Sequence, residues 1–311
     1  MNWISKILTV TEKIKRNIDK RFPSRKDIET SKWASLDCCM KGPILKSELE
    51  EHLYVCPHCG VHKRVSGRQR LDFFFGKDNY EILDYPMGID DPLQFPNYKD
   101  KLKEARKKTG QKSAFIICTG KVNGINVTAI TSTFSYIGGS MGSQESEAFL
   151  HAIDHAIKNY NPVINFCSGG GIRLYESMIG LSCMARTTLA INELKKNNLL
   201  YLNVLTDPIA GGELASYGML GDLHIAEPGA IVAFAGARVI KSTVKEELPE
   251  GFQQSEYVLK TGFVDLIVER KDLSKTIGTL LSILLKKNSD VNSELSNETS
   301  TNTEQPTKAA S

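Results

Sequence analysis

Three consecutive glycines, Gly169 to Gly171, follow an apolar run that begins at Val163 and precede a helical pattern that begins at Arg173. A strand that turns through glycines into a helix leaves backbone N–H groups without partners, and the helix dipole adds partial positive charge there. Glycine also lets a ligand approach the main chain without meeting a Cβ atom. The pattern favours binding of an oxyanion or a phosphate, although a tight turn without a ligand has the same pattern.

Two further glycine clusters also follow β-like runs. The first contains Gly138, Gly139 and Gly142, and the second contains Gly211 and Gly212. Three strand–glycine–helix units in succession predict a site that is lined by backbone amides rather than by titratable side chains. Such a site suits a reaction whose transition state carries negative charge on a carbonyl oxygen, for example a thioester enolate.

Four of the seven cysteines lie within residues 33–70. Cys56 and Cys59 have the two-residue spacing of one half of a zinc ribbon. The other half offers Cys38 and Cys39, which are adjacent, and we expect that both can hardly reach one metal without distorting the backbone. The ligands that we predict for one zinc ion are Cys38, Cys39, Cys56 and Cys59. If one of the adjacent pair is excluded, the fourth ligand would be Asp37, His58 or His62, and a metal-free remnant is the alternative.

The composition is that of an ordinary globular protein, with 41% hydrophobic and 24% charged residues in 311. The net charge of +3 gives no strong preference for polyanions. An odd number of cysteines indicates a reducing compartment rather than a disulfide framework. No apolar run approaches the ~20 residues that span a bilayer, and the first residues lack the features of a secretory signal. We therefore expect a cytoplasmic protein without membrane contact, or one in an organelle stroma.

The chain divides by composition into four regions. We predict a basic arm at 1–32, a zinc-ribbon-like domain at 33–70, an α/β domain at 71–287 and a disordered polar tail at 288–311. The segment Val122–Ile125 contains Asn-Gly between two β-like runs, which is a strong hairpin signal. Strands are predicted at 114–118, 125–130, 162–167, 199–205, 230–235 and 263–268. Helices are predicted at 143–159, 174–197, 212–220, 252–261 and 272–286.

Several motifs occur in an order that resembles one family, the carboxyltransferase β subunits of bacterial-type acetyl-CoA carboxylase. The resemblance covers roughly residues 33–285. The motifs that carry it are Ile137-Gly-Gly-Ser-Met-Gly142, Gly170-Gly171 with Arg173 and Glu176, Leu205-Thr-Asp-Pro208 with Gly211-Gly212, Met219-Leu-Gly-Asp222 with Ile225-Ala-Glu-Pro228, Phe234-Ala-Gly236 and Leu248-Pro-Glu-Gly-Phe252.

The resemblance implies a crotonase-like (ClpP/crotonase) fold, in which ββα units wind into a superhelix behind a small zinc ribbon. It implies a biotin-dependent transferase that binds acetyl-CoA and forms malonyl-CoA for fatty-acid synthesis. The implied partners are a carboxyltransferase α subunit in an α2β2 heterotetramer, a biotin carboxyl carrier protein that brings the biotin, and biotin carboxylase. Zinc binding and ATP or other nucleotide binding are further expectations.

The resemblance also implies roles for individual residues. The oxyanion donors would be the amides of Gly138 or Gly139 and of Gly170 or Gly171. Residues assigned to acyl-CoA binding are Arg173, Gly211 and Gly212. For Arg173, an ion pair with Glu176 on the helix surface is the alternative. The biotin ureido anion is the plausible base, so that no protein base is required.

The chain departs from the family pattern at several positions. Gly169-Gly170-Gly171-Ile172-Arg173 stands where Ser-Gly-Gly-Ala-Arg is usual. Glu213 and Leu214 stand where small or uncharged residues are usual, and Leu36 replaces the leading cysteine of the ribbon. Three alternatives therefore stay open. The chain could be a subunit of another acyl-CoA carboxyltransferase or decarboxylase, a non-catalytic degenerate subunit, or a nucleic-acid-binding regulator that uses the ribbon and the basic residues 13–26.

Overall fold

The computed structural model describes residues 32–34, 36–39, 42–245 and 248–285. It divides into two compact units, residues 1–63 and residues 64–311. Most of the predicted basic arm and the whole of the predicted polar tail lie outside the described residues. The predicted domain limits after residues 32, 70 and 287 stay predictions.

The first unit is small and has its own core. Strand β1 (Trp33–Ala34) pairs antiparallel with β2 (Ile44–Leu45), and helix α1 (Lys46–Glu51) follows directly. Beyond α1, a backbone bridge between Val55 and His62 closes a loop that contains Cys56 and Cys59. The buried apolar residues of this unit are Leu36, Ile44, Leu49 and Cys56.

The second unit alternates strands and helices around one sheet. Its strands are β3 (Tyr80–Ile82), β4 (Phe115–Val122), β5 (Ile125–Ser132), β6 (Val163–Gly169), β7 (Tyr201–Ala210), β8 (Leu223–Ala226), β9 (Val232–Ala233) and β10 (Leu266–Ile267). Its helices are α2 (Gly67–Phe75), α3 (Tyr98–Thr109), α4 (Ser143–Asn159), α5 (Ser177–Lys196), α6 (Gly211–Ala215), α7 (Ala237–Val244), α8 (Ser255–Lys260) and α9, described over 273–285.

The sheet has the strand order β10-β8-β7-β6-β5-β4-β3, and β9 pairs with the end of β7. Strands β5 to β8 and β10 run parallel, whereas β4 is antiparallel to both of its neighbours, β3 and β5. Since the parallel strands share a direction, the loops that follow β5, β6 and β7 meet at one edge of the sheet.

Helices cover both faces of the sheet, which makes an α/β sandwich of three layers. Apolar residues of α3, α4 and α5, such as Leu102, Phe149 and Ile191, pack in the core on one face. Apolar residues of α2 and α9, such as Phe74 and Ile277, pack in the core on the other face. A parallel sheet covered on both faces explains why β6 is buried along its whole length.

A buried ion cluster supports the second face. Glu227, which follows β8, binds the guanidinium groups of Arg70 on α2 and of Arg270 next to α9. All three residues are almost fully buried. Two cations that share one carboxylate tie the helices on this face to the end of β8.

The sequence patterns located the main elements. The hairpin predicted at Val122–Ile125 joins β4 to β5, with Asn123 and Gly124 both in the left-handed region. Helix α4 has the predicted bounds of 143–159. The predicted helix at 174–197 begins only at Ser177, because residues 174–176 form a 3-10 turn. Strands β1, β2, β3 and β8 and helices α1, α2, α3 and α7 were not predicted.

In the part of the chain that the structure describes, the helices are all too short or too polar to cross a membrane.

Candidate active site

The three glycine clusters meet at the carboxyl edge of the parallel strands. The first turn, with Gly138 and Gly139, follows β5, and the second, with Gly170 and Gly171, follows β6. The third turn begins helix α6 at Gly211, directly after β7. The adjacent parallel pairing of β5, β6 and β7 is what brings these turns together.

Backbone hydrogen bonds join the first two turns. The amide of Gly170 donates to the carbonyl of Gly138 at 2.9 Å, and the amide of Met141 donates to the carbonyl of Gly171 at 3.0 Å. The amide of Arg173 then donates to the carbonyl of Met141 at 2.8 Å. The two loops therefore continue the parallel pairing of β5 and β6 beyond the ends of the strands.

Close backbone approach requires glycine in two of the turns. A Cβ atom at Gly139 would lie 2.5 Å from the carbonyl oxygen of Ser168. A Cβ atom at Gly212 would lie 2.5 Å from the side chain of Ile172. At Gly171, with φ of +110°, the nearest atoms to a Cβ would be backbone atoms of the third turn. The first turn therefore packs on the main chain before the second, and the third turn packs on both the main chain and the Ile172 side chain of the second.

The candidate oxyanion donors differ in their availability. The amide of Gly139 donates to the carbonyl of Tyr136, and the amide of Gly170 is bound as described above. Within the described residues, the amides of Gly138 and Gly171 make no such hydrogen bond. A Cβ atom at Gly138 would meet nothing within 4 Å, so the backbone there is open to an approaching ligand.

Arg173 lies below the turns and is 1% exposed. Its guanidinium group is 3.0 Å from Glu145 and 3.9 Å from Glu176. It also donates to the Ser140 carbonyl, and it donates at 3.2 Å to the hydroxyl of Tyr98. Burial alone would lower the pKa of Arg173, but the neighbouring Glu145 carboxylate outweighs it, so the pKa is raised and the cation persists.

This placement favours the ion-pair alternative for Arg173 over contact with a CoA phosphate. The pair differs from the surface pair that the sequence suggested, because both carboxylates are buried. Each carboxylate also accepts backbone amides: Glu145 from Ala114 and Gly142, and Glu176 from Ser143. The cluster therefore fixes the loop that contains the first turn.

Glu213, the third residue of α6, is a further buried carboxyl group at this site, besides Glu145 and Glu176, and it has no exposed surface. Neither of its oxygens has a hydrogen-bond partner among the described residues. The amide of Gly171 and the hydroxyl of Tyr217 lie beside it and influence its pKa, but neither has the geometry of a hydrogen bond. Burial raises the pKa of Glu213 well above its ordinary value, which favours the neutral acid.

An apolar cavity of about 360 Å³ adjoins the third turn. Leu214 and Ala215 of α6 line one side, and the aromatic rings of Phe234, Phe252 and Tyr257 line much of the remainder. The amide of Gly211 donates to the carbonyl of Phe234 at 3.1 Å, which connects the cavity wall to the third turn.

The four predicted cysteines lie together in the first unit. Their sulfur atoms are all within 4.8 Å of one another, and those of Cys39 and Cys56 are 3.8 Å apart. The expectation that adjacent cysteines can hardly share one site is therefore not met, since Cys38 and Cys39 both turn their sulfur atoms inward. Asp37 pairs instead with Lys63.

Sequence reasoning missed the residues that hold the turns in place. Tyr98, Ser140 and Glu145 surround the Arg173 guanidinium, yet they come from three separate elements. For Glu145 a signal exists, because it stands three residues after Gly142, the spacing of a helix capping box. For Tyr98 no local pattern points to the site.

Comparison with known proteins places this arrangement in a class. Residues 88–309 match the family of the carboxyl transferase domain. The fold is similar to that of transcarboxylase 12S, with a TM-score of 0.59 and 21% identity over 70% of this chain and 41% of that chain. It is also similar to the MdcD–MdcE hetero-dimer of Pseudomonas malonate decarboxylase, with a TM-score of 0.55 and 16% identity over 75% of this chain and 95% of that chain.

Sequence relatives narrow the class. The acetyl-coenzyme A carboxylase carboxyl transferase subunit beta of Pelagibacter ubique (strain HTCC1062) is 60% identical over 314 residues, which covers 100% of both chains. The subunit of the same name from Caulobacter vibrioides (strain NA1000 / CB15N) is 46% identical over 78% of this chain and 80% of its own length. The chain belongs to the family of acetyl-CoA carboxylase carboxyl transferase β subunits. The names of these relatives lend no support to ATP binding by this chain.

The buried acid at Glu213 gives a prediction about stability and pH. In the unfolded chain Glu213 ionises near the ordinary value of 4.5, whereas in the folded chain its pKa is raised. At a pH between these two pKa values, Glu213 has lost its proton in the unfolded state but keeps it in the folded state. Ionisation of Glu213 therefore makes the free energy of unfolding fall as the pH rises. Glutamine does not titrate. We therefore compare the melting temperatures of Glu213→Gln and the parent protein at each pH. We expect the difference, variant minus parent, to increase as the pH is raised from about 4 to about 8.

Differential scanning calorimetry across this pH range measures the effect. Glu104→Gln is the matched control, because Glu104 is exposed. A difference between Glu213→Gln and the parent that stays constant with pH would contradict a raised pKa at Glu213.

Proposed function

We propose that this chain binds acetyl-CoA and promotes transfer of a carboxyl group from carboxybiotin to the acetyl methyl carbon, which gives malonyl-CoA for fatty-acid synthesis. The observation that carries the proposal is the meeting of three glycine turns at one sheet edge, which gathers their backbone amides in one place, and the amide of Gly138 is without a backbone acceptor. Full-length similarity to β subunits of acetyl-CoA carboxylase supports the choice of substrate.

The chemistry that these amides serve is stabilisation of an enolate. Loss of a proton from the methyl carbon of an acetyl thioester moves negative charge to the carbonyl oxygen. Fixed N–H donors that point at this oxygen lower the barrier without reorganisation of solvent. The first two turns are suited to this role because their mutual hydrogen bonds hold them rigid. Gly211 and Gly212 would bind the thioester from the third turn, and the adjoining apolar cavity has room for an apolar part of the substrate.

The proton acceptor is proposed to come from the biotin cofactor. Carboxybiotin supplies the carboxyl group and, once that group has left, a basic ureido nitrogen. The nearby carboxylates of this chain are poorly placed for the task. Glu145 and Glu176 bind Arg173 and backbone amides, and Glu213 has no exposed surface. This chain's residues would bind and orient the thioester and stabilise its oxygen.

The proposed assembly contains further subunits. A carboxyltransferase α subunit would hold carboxybiotin in an α2β2 heterotetramer, a biotin carboxyl carrier protein would deliver it, and biotin carboxylase would charge it. Carboxyl transfer needs both reactants at near-attack distance, and one acyl-CoA site leaves the donor unheld. We place the assembly in the cytoplasm.

A decarboxylase subunit is the second candidate, because the fold is similar to that of a malonate decarboxylase hetero-dimer. At 16% identity this likeness concerns the fold alone. An assay that follows carboxyl transfer and release of CO2 separately distinguishes the two activities.

We expect no carboxyl transfer by the chain alone and clear transfer when an α-type subunit is added. The assay uses purified chain, acetyl-CoA and carboxybiotin, with malonyl-CoA measured as product. Equal rates with and without the α-type subunit would overturn the requirement for a partner, and CO2 release without malonyl-CoA would favour the decarboxylase.

The open position at Gly138 gives a prediction about turnover. Gly138→Ala should lower kcat/KM by about tenfold to 10²-fold, because a methyl group there would keep the thioester oxygen from the amide. Gly110→Ala is a matched control, because φ is +68° at Gly110 and +69° at Gly138. At both positions a Cβ atom would meet nothing within 4 Å.

Both variants bear a similar strain of about 1–2 kcal/mol from a left-handed alanine. The melting temperatures of the two variants should therefore fall by similar amounts. If Gly110→Ala lost as much activity as Gly138→Ala, backbone strain and not access to the amide would explain the loss.

We also propose that one zinc ion is bound by Cys38, Cys39, Cys56 and Cys59. Four sulfur ligands at about 2.3 Å from zinc in a tetrahedron lie about 3.8 Å apart, and the sulfur atoms here are within 4.8 Å of one another. Burial would raise the pKa of Cys56, but the backbone amides of His58 and Cys59 outweigh burial and lower this pKa to about 7, whereas the pKa of the neighbouring Cys59 is raised to about 12. A thiol that ionises near neutral pH suits a metal ligand. Zinc would supply structural cross-linking of the small first unit.

We expect about one zinc per chain in protein purified without chelator, and at least about tenfold weaker retention in Cys59→Ser. Competition with a chromophoric chelator measures retention. Cys183→Ser is the control, because Cys183 is a thiol in the second unit whose hydrogen bond to Ile179 a serine can keep. Equal retention in the two variants would remove Cys59 from the ligand set.

A further inference from the structure

Gly169 and Glu213 lie against each other in space. A Cβ atom at Gly169 would lie 1.8 Å from a carboxyl oxygen of Glu213. The space can hold a side chain at position 169 or the carboxyl group of Glu213, but not both.

This shared space lies between the second and third glycine turns. Gly169 ends β6 and precedes the second turn, and Glu213 directly follows the third turn. A Cβ atom at Gly171 would be 3.5 Å from the Cα atom of Gly211. The carboxyl group of Glu213 therefore reaches back from the third turn to the base of the second.

The groups that face this carboxyl offer it no cation. Tyr217 and the thiol of Cys167 lie beside it, and Glu145 is a nearby acid. Arg173 is the nearby cation, but Glu145 holds it at 3.0 Å. A fully buried carboxylate without a partner would be very costly, so the neutral acid is the form that this environment accepts.

We propose that Glu213 is a positioning residue, whose carboxyl group fills the space left by Gly169 and holds the second glycine turn against the third. The proposal rests on the proposed function for its catalytic consequence, because these turns carry the amides assigned to the thioester oxygen. Its structural part, the mutual exclusion of side chains at positions 169 and 213, is independent of any activity.

A double-mutant cycle on stability tests the structural part. Gly169→Ser should lower the melting temperature by about 5 °C or more, because the new side chain collides with Glu213. In a Glu213→Ala background, the same serine should cost little, since the carboxyl group has gone. Neighbouring sites in contact are expected to couple in this way. Gly236→Ser is the control for glycine-to-serine replacement, because a Cβ atom there meets nothing within 4 Å.

Additive effects of Gly169→Ser and Glu213→Ala would overturn the proposal. The measurement needs only the folded chain. A failure here is therefore distinct from a failure of the proposed carboxyl transfer.

Steady-state kinetics with the α-type subunit test the positioning role. Glu213→Ala should lower kcat by about tenfold or more while the KM for acetyl-CoA changes by less than about threefold, because a void under the turns misplaces the amides. Glu213→Gln, which keeps the shape without a charge, should recover most of the lost kcat. Equal kcat values in the alanine and glutamine variants would overturn the role.

Discussion

The hydrogen bonds that join the first two glycine turns depend on one buried cation. Arg173 extends from the second turn to the carbonyl and hydroxyl of Ser140 in the first loop. Without it, the Ser140 carbonyl would lose a donor and two carboxylates would lose their counter-ion. Backbone hydrogen bonds continue the pairing of β5 and β6 into these loops, and the guanidinium group of Arg173 adds a side-chain link between the same loops.

The cluster around Arg173 is favourable because its polar groups are almost all satisfied. A buried ion pair with missing partners costs more in desolvation than it returns in attraction. Here Glu145 accepts two backbone amides, and Glu176 accepts the Tyr98 hydroxyl at 2.6 Å and the amide of Ser143. Removal of Arg173 would leave two charges buried together. A network of this kind restricts the turns to one arrangement, which is what a rigid set of amide donors requires.

Local patterns in the sequence predicted those turns and helices that depend on interactions between residues close in the chain. The Asn-Gly turn between β4 and β5 and the apolar spacing of α4 follow from backbone preference and helical periodicity. The placement of Arg173 could not be predicted in this way, because its partner Tyr98 is 75 residues distant in the chain. The placement of Cys38 and Cys39 could not be predicted in this way either. Both sulfur atoms lie near those of Cys56 and Cys59, and this depends on the fold of the first unit.

The departures from the family pattern bear on whether the subunit is degenerate. Glu213 occupies the space beside Gly169, and the side chain of Ile172 packs against Gly180 and Gly212. In both cases a large side chain lies against glycine residues, which leave room for it. The hydrogen bonds between the turns and the close fit of these side chains against glycines therefore favour a subunit in which the glycine turns are intact.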